Sequence, residues 1–103
     1  MTNFYPSQRF SSAISSMATS PKTIHERLVD AFNYDLIHVK ASDLPQNLQL
    51  QFSELLKRVT SVKPTNQEGS LVATISKMTT DEAVDIAHKI QFLYHEIESS
   101  LPS

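Results

Sequence analysis

The sequence predicts an all-α protein, a small bundle of four to five helices around a single core. Three observations carry this expectation. Residues 48–62 and 83–97 place apolar side chains at helical spacing and leave the polar ones on the other side. Helix-start signals recur along the chain at Ser20-Pro21, at Ser42-Asp43-Leu44-Pro45 and at Thr79. The only β-leaning runs, DLIHV (35–39) and SLVATI (70–75), are short and lack a paired turn signal.

Residues 1–8 read as an irregular tail, with Pro6 blocking an earlier helix, and residues 9–101 as one helical domain. Phe10, Ala13, Ile14 and Met17 recur at helical spacing over about 8–19. Ser11, Ser12, Ser15 and Ser16 are mediocre helix formers, so this helix needs packing to persist. Ser20 then suits an N-cap and Pro21 a first helical position. In the helix that follows, Ile24, Leu28, Ala31, Phe32 and Leu36 line one side, and Arg27 and Asp30 are spaced to pair on the surface. Residues 33–41 fit either a prolonged helix or an extended connector.

Ser42 or Asp43 is the expected cap of the next helix, with Pro45 in its first turn. Leu48, Phe52, Leu55, Leu56, Val59 and Val62 form its stripe, and Lys57 and Arg58 near its end complement the helix dipole. KPTNQ (63–67) reads as a loop. A further helix over about 68–78 carries Leu71, Ile75 and Met78 on one side and meets the last helix at a sharp corner.

The closing helix, 79–99, has the strongest signature. Thr79 and Glu82 form a capping box, and Asp81 and Glu82 place negative charge where the dipole favours it. At about 100° per residue, Ala83, Ile86, Ala87, Ile90, Leu93, Tyr94 and Ile97 share an arc of roughly 120°. The core is expected to include Leu28, Phe32, Phe52, Leu55, Ile86, Ile90 and Leu93. Phe92 is out of place, about 180° from that stripe. It is flanked by Val84, His88 and His95, and these four residues are the candidate interface. The ring is either an isolated exposed apolar residue, which is common and carries no meaning, or it is covered. Cover comes either from the amino-terminal helix through Phe10, Ile14 and Met17 or from another chain, a protein partner or a second copy.

The segments RLVDAF (27–32), DLP (43–45) and KMTTDEA (77–83) give the chain a resemblance to small bacterial all-helical proteins of about this length. The resemblance spans residues 20–98. It implies a bacterial, soluble, helical protein and carries no activity and no functional residues.

Composition narrows the function classes. With 103 residues, 40% of them hydrophobic, one domain can bury a core without staples. There is no Cys, which removes disulfides and thiolate metal sites. No apolar run reaches the roughly 18 residues of a membrane span, and the start lacks the apolar core of a secretory signal. One Arg and one Lys among the first 25 residues fit a targeting peptide poorly. The expected setting is cytoplasmic. Nine Lys and Arg scattered among eleven acids make no basic face, which disfavours nucleic acid. The single Gly, at position 69, rules out recognisable phosphate-cradling and dinucleotide motifs.

No residue set points to catalysis. His88 and His95 share a face but stand about 10 Å apart along the axis, with Gln91 and Phe92 between them. Asp85 and His88 are closer, yet two ligands make no metal site. Ser20, Ser42 and Thr79 are explained as caps, Asp81, Glu82 and Asp85 as helix-start charge, and Tyr34 and Tyr94 as rings in the core with hydroxyls at its edge. A helix-turn-helix around Met78–Thr80 would lead into a groove with Asp81 and Glu82, against phosphate repulsion, so a bundle corner is the simpler reading. The expected function is therefore a protein–protein interaction module, an adaptor, regulator or accessory subunit with no cofactor or metal. One alternative is a nucleic-acid-associated regulator, which needs Arg9, Lys22, Arg27, Lys57 and Arg58 to converge. The other is a small metal-dependent or hydrolytic enzyme built on the histidines.

Overall fold

The computed structural model describes residues 5–64 and 69–100. Among them are five helices and no strand: α1 (Tyr5–Thr19), α2 (Ile24–Tyr34), α3 (Gln46–Val59), α4 (Gly69–Ser76) and α5 (Thr80–Ser100). Two 3-10 turns, Leu36–His38 and Ala41–Asp43, join α2 to α3. All seven expected core residues are buried in one cluster, to which every helix contributes. No helix among the described residues is long and apolar enough to cross a membrane.

The first helix begins earlier than expected. Residues 5–8 are helical rather than part of an irregular tail, whereas residues 1–4 lie outside the described residues. Pro6 sits in the first turn, where a missing N–H costs nothing, and its ring is fully buried. Ser7, also buried, donates its hydroxyl to the carboxylate of Glu98 and ties the start of α1 to the end of α5. Phe10, Ala13 and Met17 enter the core, while Ser11, Ser12, Ser15 and Ser16 face solvent. Packing thus outweighs the poor propensity of the serines.

Two caps also differ from expectation. Thr23, not Ser20, caps α2: its hydroxyl oxygen accepts from the Glu26 N–H at 3.2 Å and its O–H donates to the Glu26 carboxylate at 3.0 Å. Ser20 instead accepts from the Lys22 N–H, so Ser20-Pro21 builds the turn before the helix. Asp30 pairs with Lys22 at 2.8 Å rather than with Arg27, whose Nε–H goes to the Lys22 carbonyl. At α3 neither Ser42 nor Asp43 caps. Asp43 accepts from the Lys40 N–H and closes the second 3-10 turn, leaving Pro45 at the N-cap position.

Of the ambiguous stretch 33–41, Asn33 and Tyr34 end α2, and the rest is a connector of 3-10 turns joined by the extended Val39 and Lys40. Leu36 in the first 3-10 turn and Val39 just after it are buried, and the chain turns toward α3. Tyr34 is 66% exposed, so its ring is not in the core as expected. It stands at the last position of α2, where the core stripe has already turned away.

Val62 lies beyond the end of α3 and is half-buried. Its N–H donates to the buried Thr74 hydroxyl at 2.9 Å, and that hydroxyl donates to the Ser70 carbonyl at 2.7 Å. The expected loop over 63–67 lies mostly outside the described residues. Gly69 opens α4 with φ +84°, a left-handed conformation natural to glycine. The capping box of α5 forms as expected, with Thr79 N–H to Glu82 Oε1 at 3.0 Å and Glu82 N–H to Thr79 Oγ1 at 3.1 Å. At this corner His25 Nε2 meets the Met78 carbonyl at 2.8 Å.

Candidate functional site: a groove between α3 and α5

The stripe of α5 turns Ala83, Ile86, Ile90, Leu93 and Ile97 inward. By the geometry of the helix this carries Phe92 outward, and it is 50% exposed. The amino-terminal helix does not cover it. Phe10 and Met17, which offered a matching strip, are buried in the core, with Ile14 packed against them. Intramolecular cover of Phe92 by α1 is therefore overturned.

Phe92 instead forms part of one wall of an open groove of about 580 Å³ between α3 and α5. Gln51, Glu54 and Arg58 make the α3 wall; Asp85, His88, Lys89 and Phe92 make the α5 wall. The buried Leu55 and Leu93 form the floor. Arg58 bridges the walls at one end through a 2.9 Å ion pair with Asp85, which also takes Lys89 of its own helix at 3.4 Å. Hydrogen bonds from Arg58 and then Lys89 hold the Asp85 carboxyl below its ordinary pKa. Glu54 makes no hydrogen bond or ion pair among the described residues. An aromatic ring, an apolar floor and fixed charges of both signs can bind an apolar anchor with polar surroundings, which is the make-up of a contact surface.

Of the four candidate interface residues, the groove brings together His88 and Phe92. Val84 is 39% exposed on the flank of the same helix, and His95 is exposed beside the Tyr94 ring; neither lines the groove. Gln51, Glu54 and Lys89 escaped sequence reasoning, and Arg58 entered it only as a helix-end charge and a cation of the nucleic-acid alternative. Their only signal is polar residues four apart on two helices, which acquires meaning once the helices are known to be neighbours.

The groups considered for chemistry are dispersed. Among the described residues no three of His, Cys, Asp and Glu are grouped to hold a metal ion. His25 is engaged with the Met78 carbonyl, and His38, His88 and His95 are exposed on separate turns. Of the cations a nucleic-acid surface would need, Arg9 pairs with Asp35 at 3.4 Å, Lys22 with Asp30 and Arg58 with Asp85. Compared with known proteins, the chain matches no family model, no curated protein and no solved structure.

Proposed function

We propose that this chain is a protein–protein interaction module, an adaptor, regulator or accessory subunit without an active site, which engages its partner through the α3/α5 groove. The observation that carries the reading is Phe92, half exposed on a groove wall beside an apolar floor, with no described helix of its own chain laid over it. Aromatic side chains set in such pockets supply much of the binding energy of interfaces. A cytoplasmic setting and a bacterial origin belong to the same proposal. They rest on composition and on the resemblance of the RLVDAF, DLP and KMTTDEA segments.

Phe92→Ser tests it by removing the ring without touching the core stripe. Wild type and variant are compared for association in solution, by light scattering on the purified protein and by affinity capture with cross-linking in the native cell. Loss of an association present in the wild type, with an unchanged melting temperature, is the expected result. Associations identical in wild type and variant would overturn the groove as the contact surface. So would a large fall in stability of a protein that is monomeric throughout.

A further inference from the structure

Resting on the reading of this groove as a contact surface, we propose that its occupant is a second copy of this chain, related by a twofold axis running along the groove. The argument is charge complementarity at matched heights. Arg58 and Asp85 fix one end of the groove by their ion pair. Since α3 stops at Val59, the α5 residues from His88 to Phe92 run beside Leu55, Glu54 and Gln51, so the two helices are antiparallel. Glu54 lies four residues back from Arg58, and Lys89 four residues on from Asp85. Each step is about 6 Å along its helix, which puts Glu54 and Lys89 level on opposite walls.

The groove therefore has two rungs, Arg58 with Asp85 and Glu54 with Lys89, each carrying a base on one wall and an acid on the other. Rotation by 180° about an axis along the groove exchanges the walls and preserves height. It lays the α3 wall of one copy over the α5 wall of the other, as an isologous contact requires. Glu54 then faces Lys89 of the other copy, Arg58 faces Asp85, and each Phe92 lies over the Gln51 side of the facing groove. Every charge meets its opposite, including Glu54, which has no partner among the described residues of its own chain. With two acids and two bases on its walls, the groove offers no net charge to a strongly basic or strongly acidic partner.

Charge reversal tests this directly. Glu54→Lys and Lys89→Glu are purified separately, checked for wild-type helicity and melting, and studied by sedimentation equilibrium alone and mixed. The wild type is expected to dimerise. Each variant alone would face like charge twice across the axis, raising its dissociation constant about tenfold or more. Mixed in equal amounts they should form a heterodimer. The lysine introduced in one copy then meets the glutamate introduced in the other, while the native Lys89 and Glu54 pair across the axis as before. If either variant folds poorly, Glu54→Gln and Lys89→Gln replace the pair and are expected to weaken the dimer without recovery on mixing. A wild type monomeric at all concentrations, or a dimer indifferent to these changes, overturns the second copy as occupant. The groove itself would survive that result if Phe92→Ser still abolished binding to a different protein.

Discussion

The rings of Phe10 and Phe52 pack at 5.7 Å between centroids with their planes tilted by 56°, and both are fully buried. This contact fixes α1 on the core and so leaves Phe92 uncovered by it. A tilted aromatic pair is worth about 0.5–1.5 kcal/mol beyond its buried area. Phe10→Ala should destabilise the protein by about 3–5 kcal/mol in urea unfolding. The double variant with Phe52→Ala should show a coupling of the size expected for an aromatic pair. Additive losses would mean that the two rings are buried independently and do not anchor one another.

The α5 cap gives an expectation for acid stability. Hydrogen bonds from the Thr79 backbone and then its hydroxyl hold the Glu82 carboxyl below its ordinary pKa of 4.5. Asp85 is held below its ordinary 3.8 by Arg58 and then Lys89. A carboxylate with a depressed folded pKa stabilises the fold fully above its unfolded value, and that contribution is lost as the pH falls through the folded one. Stability should therefore decline from about pH 4.5 downward. Glu82→Gln keeps an oxygen for the Thr79 N–H but cannot titrate, so the gap between wild type and variant should narrow as the pH drops through that window. A gap of constant size, measured by urea midpoints at each pH, would show that the capping carboxylate does not contribute through its charge.

Much of this fold could be read from the sequence, and the reason is the range over which its signals act. The Thr79–Glu82 cap is written in residues three apart, and the stripe from Ala83 to Ile97 within a single helix. Both are local, and both appear as expected. The cap of α2 is Thr23, with Glu26 three residues on, and not Ser20, whose place before a proline is a start signal equally at home in the preceding turn. Pro6, which by propensity predicts a stop, is a tolerated first-turn residue of α1. The groove was legible only in half. Phe92 announces itself by lying off the stripe, whereas Glu54, Arg58 and Lys89 look like ordinary solvated charges until α3 is placed antiparallel to α5. Which helix covers which face is a long-range fact, and helical periodicity is silent on it.

The dispersal of the histidines yields a plain expectation about metals. A structural metal lends its binding energy to folding, so removing it lowers the melting temperature. With no suitable group of ligands among the described residues, a chelator should leave the midpoint unchanged. Elemental analysis of purified protein finding about one zinc or iron per chain would refute this and reopen the enzymatic reading.

The last expectation concerns how the chain is held between α3 and α4. Thr74 is buried, and its single hydroxyl serves two backbone groups: it accepts the Val62 N–H and donates to the Ser70 carbonyl. Thr74→Val keeps the shape and removes both bonds, leaving the half-buried Val62 amide without its acceptor. An unsatisfied buried donor costs about 1–3 kcal/mol, so the variant should lose roughly that much in urea unfolding. Thr74→Ser, which keeps the hydroxyl and drops one methyl group, should lose about 1 kcal/mol. Hydrogen exchange at the Val62 amide separates a bond that holds the connection from one that merely accompanies it. Protection lost in Thr74→Val and retained in Thr74→Ser means that the hydroxyl pins the segment leaving α3. Protection equal in both would place the restraint in the packing of Val62 itself.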